Sequence, residues 1–422
     1  MTIVGIDDTD SRERGMCTTY VADTVARRLA DRGASVERTL LVRCNPAVEH
    51  KTRGNAALAV HADVDPGTAF EVARRVVDRA AEADDDRTNP GIVVSPADPA
   101  DVPGAVAGFT RDAVTGHLTR EDARAVLDDT GYRSRGWKNG RGVIGALAAV
   151  GAWRALDGWT YEHIAYRERD RWGTERRVDP DSVFEAADAF YPTVWDTVDR
   201  GTGETVCVPR TPGPVLYGIR GDDPGPCRAV ADRVAAEQTA RERTFVTNQG
   251  TDGHLRAGTI ETARGGHAYR LDGTVTAAPE TRRGGHVFFE LEGDGRAIDC
   301  AAFEPTKRFR DRVRSLRAGD RLTVCGEVSD GTVKLEKFAL RELRRTAPAT
   351  PVCPACDRTM ESAGREQGYR CRRCDTAAPG KDRRPIDRDL GVGWYEVPPR
   401  ARRHIAKPLA RGGFDAPTHV ER

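Results

Sequence analysis

The stretch Val4-Gly5-Ile6-Asp7-Asp8-Thr9-Asp10-Ser11 places three carboxylates within four residues after a short apolar run, and Cys17-Thr18-Thr19-Tyr20 follows it. Carboxylates this close repel one another unless a cation lies among them. Such clusters typically bind Mg²⁺ for phosphate chemistry, which makes Asp7, Asp8 and Asp10 candidate metal ligands. The other interpretation is a solvated turn that caps the next helix, because Asp and Ser are favoured at helix starts.

Around this stretch the apolar pattern alternates between strands and helices. Val21, Val25 and Leu29 recur at four-residue spacing in the helix that follows, and Gly33 is a suitable end for it. The predicted strands cover residues 2–6, 40–43, 58–64 and 91–95, and the predicted helices cover residues 18–32 and 68–83. Strands that alternate with helices indicate an α/β class for this part of the chain.

A glycine-rich segment, Gly136-Trp137-Lys138-Asn139-Gly140-Arg141-Gly142-Val143-Ile144-Gly145, runs into an apolar helix predicted over 146–153. Free N–H groups at the positive end of a helix suit phosphate, so the segment is a candidate phosphate site. Its G-x-G-x-x-G pattern does not indicate a dinucleotide fold, because the polar segment 132–135 before it predicts no strand. A P-loop is excluded because no Gly-Lys-Ser/Thr follows. Tight packing of the helix through its glycines is the alternative.

Two further modules are predicted downstream. A strand over 215–219, a helix over 226–237 and a strand over 244–247 suit a ferredoxin-like sandwich that begins near residue 192. From residue 271 to 343, five short strands with a helical stretch between the third and the fourth predict an oligonucleotide-binding (OB) barrel. Phe288 and Phe289 must face opposite sides of their strand, so one of them, or Phe303, is available to stack bases or to fill the core.

Two Cys-x-x-Cys pairs near the C-terminus form the clearest metal motif. The pairs Cys353/Cys356 and Cys371/Cys374 are separated by fourteen residues, a pattern typical of a zinc ribbon. Four thiolates leave no coordination position for water, so this zinc is expected to be structural. A redox-active Cys-x-x-Cys, the alternative, would not need a second copy.

Composition favours a nucleic-acid partner. The formal net charge is only +1, but just seven of the 66 basic residues are Lys, and Arg becomes denser toward the C-terminus. Segment 379–413 mixes Arg and Lys with Trp394, Tyr395 and His404, a pattern typical of RNA contact, although a solvated charged tail is the ordinary alternative. No apolar run approaches the roughly 18 residues of a membrane helix, and no leader is evident, so a cytoplasmic protein is expected.

Several motifs together resemble the archaeal tRNA 2-agmatinylcytidine synthetases. The motifs are Gly5–Ser11 with Gly15-Met16-Cys17-Thr18-Thr19, Lys51-Thr52-Arg53-Gly54-Asn55, Gly140–Ala146, Thr247-Asn248-Gln249-Gly250-Thr251-Asp252 and the cysteine pairs. The resemblance covers essentially the whole chain. It implies a kinase-like domain over 1–191, a ferredoxin-like domain over 192–270, an OB-fold over 271–345, a zinc ribbon over 346–380 and a basic tail over 381–422.

The resemblance also implies a reaction. Members attach agmatine to carbon 2 of the wobble cytidine in the isoleucine tRNA with a CAU anticodon, which changes its decoding from the methionine codon to AUA. They convert ATP to AMP and phosphate, through a phosphorylated cytidine. By analogy Thr18 is an autophosphorylated catalytic residue, and Asp7, Asp8 and Asp10 bind Mg²⁺. Lys138, Gly140, Arg141 and Gly142 are assigned to the ATP phosphates. Agmatine carries two cations, so its pocket should offer carboxylates or aromatic rings, and Asp252 and Glu49 are the candidates.

Two rival functional classes compete with this interpretation of the sequence. A non-catalytic RNA-binding protein would use the barrel and the ribbon, with the acidic stretch as a structural cap. A zinc-dependent base deaminase fits poorly, because it requires a His-x-Glu followed by Pro-Cys-x-x-Cys. The His-x-Glu of this chain, His419-Val420-Glu421, has no cysteine after it.

Overall fold

The computed structural model describes residues 1–52 and 54–422, and its N-terminal part is built on one nine-stranded sheet. Its first strands are β1 (Thr2–Asp7), β2 (Ser35–Arg43), β3 (Ala56–Asp63), β4 (Gly91–Ser95) and β5 (Arg133–Gly136). The helices here are α1 (Thr18–Ala30), α2 (Pro66–Ala80), α3 (Gly104–Thr115), α4 (Arg120–Thr130) and α5 (Gly142–Ala155). Because β1 lies between β3 and β4, the acidic stretch leaves the sheet from an interior strand, two strands in from the edge formed by β5.

Helices cover both faces of this sheet. Successive residues of β1 point to opposite faces, as the pleat requires. Val4 and Ile6 join the core beneath α1 and α2, whereas Ile3 joins the core beneath α3 and α5. The sheet therefore supports the start of α1 from one side and the start of α5 from the other.

The second half of the sheet follows in the chain. It contains β6 (Thr160–Arg167), a short 3-10 helix (Arg169–Arg171), α6 (Pro180–Phe190), β7 (Val194–Trp195), β8 (Val215–Gly221), α7 (Pro224–Ala231) and β9 (Thr239–Thr247). A parallel pairing of β2 with β9 joins the halves. β6 precedes residue 191 but pairs with β8 and β9, so the sheet crosses the expected boundary between residues 191 and 192.

The structure corrects one expectation about the glycine segment. A strand does precede it, because β5 pairs antiparallel with β4. All four residues of β5 are exposed, so this edge strand carries no apolar alternation that could have revealed it. A dinucleotide fold is still not indicated, since its glycine fingerprint follows a strand of a parallel βαβ unit.

A closed five-stranded barrel follows. Short strand β10 (Leu255–Ala257) leads into β11 (His267–Val275), and β12 (Glu280–Thr281) precedes β13 (Val287–Gly293) and β14 (Arg296–Ala302). A 3-10 turn (Glu304–Thr306), α8 (Phe309–Arg314), β15 (Arg321–Ser329) and β16 (Thr332–Glu342) complete it. The ring of pairs β11-β13-β14-β16-β15-β11 confirms the predicted barrel. Phe289 lies in its core, and Phe288 contacts Phe303 on the other side of the strand.

The C-terminal part folds back onto the barrel. A ribbon of β17 (Thr346–Ala349), β18 (Glu361–Ser362), β19 (Tyr369–Arg370), β20 (Ala377–Ala378) and β21 (Asp382–Pro385) carries the four cysteines. It is followed by β22 (Gly393–Glu396), two 3-10 turns (Pro399–Ala401 and Leu409–Arg411) and β23 (Thr418–His419). β22 pairs with β16 and buries Trp394 and Tyr395, so the basic segment is built into the barrel instead of extending from it as a tail.

The basic side chains of this segment are largely paired. Arg388 forms a buried ion pair with Asp320, and Arg402 lies between Asp196 and Glu396. These ion pairs neutralise arginines that the sequence pattern had suggested for RNA contact. Within the described part of the chain, no helix has both the length and the apolar character needed to cross a bilayer.

Candidate functional site

The acidic stretch turns sharply as it leaves β1. Asp8 adopts φ 54°, a left-handed conformation in which Asp is enriched among non-glycine residues. Its carboxylate accepts hydrogen bonds from the Thr52 hydroxyl at 2.7 Å and from the Asn89 backbone N–H at 2.9 Å. The Arg141 guanidinium lies 3.5 Å from the same group. Contacts with Thr52, Asn89 and Arg141 therefore fix the position of the Asp8 carboxylate.

Asp7 occupies the most constrained position. Burial raises the pKa of Asp7 well above its usual value, and the charges of Asp8 and Asp10 add to the rise, while Arg141 opposes it. A Cβ atom at Gly145 would overlap the Asp7 carboxylate, so only glycine leaves room for Asp7 at this position of α5. The sheet and α5 together hold a carboxylate whose charge is unfavourable without a cation.

Thr18 begins α1 beside the acidic stretch. Its hydroxyl oxygen accepts a hydrogen bond from the Thr9 hydroxyl at 3.1 Å, and it is only 5% exposed. The first intrahelical bond comes from the Tyr20 N–H to the Cys17 carbonyl at 2.9 Å, so the N–H groups of Thr18 and Thr19 precede the helix ladder. Those donors and the helix dipole make this turn favourable for a phosphate group.

These residues line one cavity of about 420 Å³, here called the acidic cavity. Six of the site residues predicted from the sequence are among its lining residues: Asp7, Asp8, Asp10, Thr18, Arg141 and Gly142. Two other predicted residues lie elsewhere. The Lys138 ammonium donates to the Asp85 carbonyl at 2.5 Å, and Gly140 adopts φ 76° in the turn before α5.

The glycine segment approaches the cavity through tight packing. A Cβ atom on Gly142 would lie 2.5 Å from the Asn89 carbonyl and from the Gly91 nitrogen. The first N–H groups of α5 are already used, because those of Gly142 and Val143 bond to the carbonyls of Asn89 and Gly140 at 2.9 and 3.2 Å. This arrangement favours the packing interpretation of the glycines. The Arg141 side chain is then the phosphate-compatible group of the segment.

Arg43 was not singled out from the sequence and lines the same cavity. Burial lowers the pKa of its guanidinium, and Glu162 opposes that shift. One terminal nitrogen donates to the Gly54 carbonyl at 3.1 Å, while the buried Nε has no partner among the described residues. The sequence did not mark Arg43 as a site residue, because a polar residue at the end of a strand such as β2 is common.

Lys51 and Thr52 also line the cavity, and they belong to a motif to which no role had been given. The Lys51 ammonium donates to the carbonyls of Pro46 and Val48, the latter at 3.1 Å. Burial lowers the pKa of Lys51. Arg53 of the same motif lies outside the described residues. This loop adds Lys51 to the cations Arg141 and Arg43 of the cavity lining, and its Thr52 contacts Asp8 although the two are far apart in sequence.

The two residues suggested for agmatine do not lie in the cavity lining. Asp252 accepts hydrogen bonds from the Lys337 ammonium at 2.8 Å and from the Lys407 backbone N–H at 2.7 Å. Glu49 is exposed, although its neighbours Val48 and His50 line the cavity. Lys337 is almost completely buried, so its ion pair with Asp252 has a structural role.

The four cysteines form a separate site. The sulfur atoms of Cys353, Cys356, Cys371 and Cys374 lie within 4.8 Å of one another. Asp357 and Asp375 turn the two knuckles with φ 53° and 60°, and their N–H groups each bond to the first cysteine carbonyl of their knuckle at 2.9 Å. Four convergent thiolates fit structural zinc and leave no site for catalysis.

Comparison with known proteins identifies the family. Family models described as the TiaS TCKD domain, the TiaS FLD domain and the TiaS C-terminal zinc ribbon domain match residues 3–138, 140–254 and 350–390. The tRNA 2-agmatinylcytidine synthetase TiaS of Haloquadratum walsbyi is 52% identical over 462 residues, which covers 100% of both chains. This chain belongs to the TiaS family.

Solved TiaS structures share its architecture. A crystal structure of TiaS in complex with an isoleucine tRNA and ATP matches with a TM-score of 0.89 and 42% identity, covering 100% of this chain and 99% of the other. A complex of TiaS with the same tRNA, AMPCPP and agmatine matches with a TM-score of 0.88 and 40% identity, over the same shares of the two chains. The TiaS domain models meet just before α5, so the FLD model contains α5, β6 and α6 together with the later strands.

Proposed function

We propose that this chain uses ATP to attach agmatine to carbon 2 of the wobble cytidine in the isoleucine tRNA with a CAU anticodon, so that the tRNA reads AUA. Membership of the TiaS family supports the assignment. The structural observation that carries it is the acidic cavity, where three carboxylates, Thr18 and Arg141 meet at the positive end of α1. A purely RNA-binding protein has no use for such a charged, substrate-sized cavity.

The cytidine oxygen is a poor leaving group until it is phosphorylated. In the proposed reaction the γ-phosphoryl group passes from ATP to O2 of the cytidine. The primary amine of agmatine then attacks carbon 2. A C–N bond forms, the C–O bond breaks, the oxygen leaves within inorganic phosphate, and the amine loses its protons. The reacting base must leave its stack to enter the cavity.

Formation of AMP requires a second phosphoryl group to leave the nucleotide. We assign the Thr18 hydroxyl as its acceptor: the Thr18 oxygen bonds to phosphorus, its proton passes to a carboxylate of the cavity, and water later releases the group as phosphate. The helix start stabilises the added charge through the dipole and the N–H groups of Thr18 and Thr19. Over the cycle one ATP and one water yield AMP and two phosphates.

Magnesium fits the donors at this site. Mg²⁺ in nucleotide sites usually binds one or two carboxylates and completes its octahedron with phosphate oxygens and water. Among the described residues only the four cysteines bring three or more ligand atoms within 4.8 Å of one another, so the aspartates do not form a complete cage. Asp8 is held by Thr52 and Asn89. Asp7 and Asp10 would hold the ion, which would supply charge neutralisation on the triphosphate.

Arg141 and Arg43 complete the charge pattern that ATP requires. Both guanidiniums line the cavity with the aspartates, and Arg pairs with phosphate oxygens in a planar fork. Lys138 and Gly140 remain secondary candidates, because they lie outside the cavity lining.

We also propose roles for the flanking parts. The TCKD region acts as the kinase-like domain and the FLD region as the ferredoxin-like domain, followed by the OB barrel, the zinc ribbon and the C-terminal segment. The barrel presents Phe288 and Phe303 outside its core, with the Arg282 guanidinium 4.2 Å from the Phe288 ring, a surface suited to nucleic acid. A cytoplasmic location follows from a tRNA substrate.

The test is transfer of labelled agmatine. Purified protein, ATP, Mg²⁺, labelled agmatine and a transcript of the CAU-anticodon isoleucine tRNA should give labelled RNA, with AMP as the nucleotide product. Folded wild-type protein that transfers no label would refute the proposal.

Asp7→Asn separates catalysis from binding. The proposal expects label transfer to fall by about 10³-fold, because a ligand of the metal that neutralises the triphosphate is lost, while tRNA affinity is unchanged. Under the rival hypothesis, an RNA-binding protein with a structural cap, wild type and variant would show the same nucleotide turnover.

A further inference from the structure

A second concave surface lies along α1 and α2. It has a volume of about 590 Å³ and is here called the arginine groove. Six of its thirteen lining residues are arginines and none is acidic: Met16, Tyr20, Thr24, Arg28, Arg32, Val72, Arg75, Val76, Arg79, Ala80, Arg169, Trp172 and Arg241. The arginines share the lining with the apolar side chains of Met16, Val72, Val76 and Ala80.

Most of this arginine charge is uncompensated. Among the described residues, no carboxylate lies within ion-pair distance of Arg32, Arg75, Arg79 or Arg169. Arg28 has only Asp31, at 3.8 Å, and both side chains are more than half exposed. Such an exposed pair contributes little. Arg75 and Arg79 are four positions apart on α2, so both side chains lie on the same helix face.

One end of the groove is rigid. Arg241 is held by the buried Asp23 at 3.1 Å and donates to the Thr24 hydroxyl at 2.8 Å. Its guanidinium lies 3.6 Å above the Tyr20 ring, which packs edge-on against Trp172 at 4.9 Å. Tyr20 and Trp172 are both partly exposed, so the ordered end of the groove combines a cation with aromatic surface.

The groove and the acidic cavity share one turn of chain. Met16 and Tyr20 line the groove, whereas Cys17, Thr18 and Thr19 line the cavity. From Thr18 to Arg32 the chain advances roughly 21 Å at the helical rise of about 1.5 Å per residue. Cations therefore extend away from the reaction site over a length of several nucleotides.

We propose that the arginine groove binds the sugar-phosphate backbone of the substrate tRNA next to the nucleotide that enters the acidic cavity. This rests on the proposed function, since it assumes that the wobble cytidine reaches Thr18. Arginine pairs with phosphate in a planar fork, and an aromatic surface accepts an unstacked base of any sequence. A free nucleotide would need the cations to converge on one point, but here they are spread along two helices.

The test compares tRNA binding by wild type and by Arg75→Ala/Arg79→Ala across salt concentrations. Both side chains are exposed. The dissociation constant for the tRNA transcript should rise about tenfold or more near 0.15 M salt. The slope of log K against log salt should fall by about 1.4, since each single-strand phosphate contact contributes about 0.7. Arg75→Lys/Arg79→Lys retains the charge and should recover most of the affinity.

Arg111→Ala/Arg124→Ala is the matched control. It removes the same charge from exposed positions on α3 and α4 that do not line the groove, and it should change tRNA affinity less than about twofold. Thermal unfolding of all variants verifies the fold. Equal affinities and slopes for wild type and Arg75→Ala/Arg79→Ala would overturn the proposal. Weaker ATP binding with unchanged tRNA binding would also overturn it, by indicating a site for small anions.

Failure of the groove and failure of the proposed function give different results. If wild type transfers no agmatine but its tRNA binding still depends on Arg75 and Arg79, the groove proposal is supported and the assigned reaction is refuted. If wild type transfers agmatine and Arg75→Ala/Arg79→Ala has the same KM for tRNA, only the groove proposal is refuted. The expected result is a raised KM with an unchanged kcat at saturating tRNA.

Discussion

The zinc ribbon and the acidic cavity both collect anionic ligand atoms, but they do so to different degrees. In the ribbon, four sulfur atoms converge within 4.8 Å on two matched turns. In the cavity, Asp8 is held by neighbouring donors, and burial together with Asp8 and Asp10 raises the pKa of Asp7. The ribbon supplies a complete set of four metal ligands, whereas the cavity supplies an incomplete set that the phosphate oxygens of a nucleotide would complete.

This difference separates a structural site from the catalytic site that we propose. A closed set of protein ligands fixes its metal and stabilises the fold. An incomplete set of protein ligands leaves coordination positions for phosphate oxygens. Its carboxylates repel one another when no metal is bound. Changes to the ribbon should therefore act on local folding, and changes to the cavity should act on chemistry.

The largest effect is expected from zinc removal. Cys371→Ser should abolish zinc binding and unfold the segment matched by the ribbon model, because structural zinc contributes about 10–16 kcal/mol of binding free energy. Metal analysis and limited proteolysis measure this. Phosphorylation of Thr18 by ATP should continue. Loss of both properties together would show that the two sites are not independent.

Asp23→Asn should be next in size. This fully buried carboxylate joins α1 to β9 through Arg241 at 3.1 Å and Arg243 at 2.6 Å, and Arg27 adds a third guanidinium at 3.0 Å. Removing the charge leaves partly buried cations uncompensated and should cost about 3–5 kcal/mol in the free energy of unfolding. Denaturant titration tests this, with zinc content unchanged. A cost below about 1 kcal/mol would contradict the buried-pair argument.

A pair of glycine variants tests the close packing at Asp7. Gly145→Ala should displace the Asp7 carboxylate, lowering agmatine transfer strongly and stability by about 1–3 kcal/mol. Gly108→Ala in α3 is the matched control, since a Cβ atom there meets nothing within 4 Å, and it should be neutral or stabilising by about 0.5–1 kcal/mol. Equal effects of the two variants would contradict the packing role of Gly145.

The smallest effect is a pH dependence of stability. Because the pKa of Asp7 is raised on folding, the folded state binds the extra proton, and stability falls as pH rises from about 4 through the raised pKa. Asp7→Asn lacks this loss, so without nucleotide or metal it should be more stable than wild type at neutral pH. The gap should close below about pH 4. Parallel pH curves would contradict the raised pKa.

Local patterns predicted the ribbon and much of the fold. The cysteine spacing alone defined the zinc ligands. The order of strands around α8 indicated the barrel, and predicted helices over 18–32 and 68–83 correspond to α1 and α2. These features depend on short spacing or periodicity, which a single sequence displays directly. The acidic stretch was also singled out this way, because its three carboxylates are close in sequence, whereas the role of Thr18 was expected only from the family resemblance.

Features that depend on tertiary contacts were missed. α4 buries only Ala123, and β5 buries nothing, so neither has a visible apolar period. The pairing of β2 with β9 cannot be derived from local sequence pattern. For this reason the domain boundary expected from the sequence falls inside one sheet. Arg43 and Lys51 reach the cavity only through folding. The basic segment suggested a tail because sequence does not reveal its buried partners Asp320, Asp196 and Glu396.

The central claim is that the acidic cavity brings a metal nucleotide to Thr18. Mass spectrometry of the intact protein after incubation with ATP and Mg²⁺ tests it directly. We expect one added phosphate, mapped to Thr18, that is absent in Thr18→Val and in Asp7→Asn. An unmodified Thr18 in protein that transfers agmatine to tRNA would contradict the account.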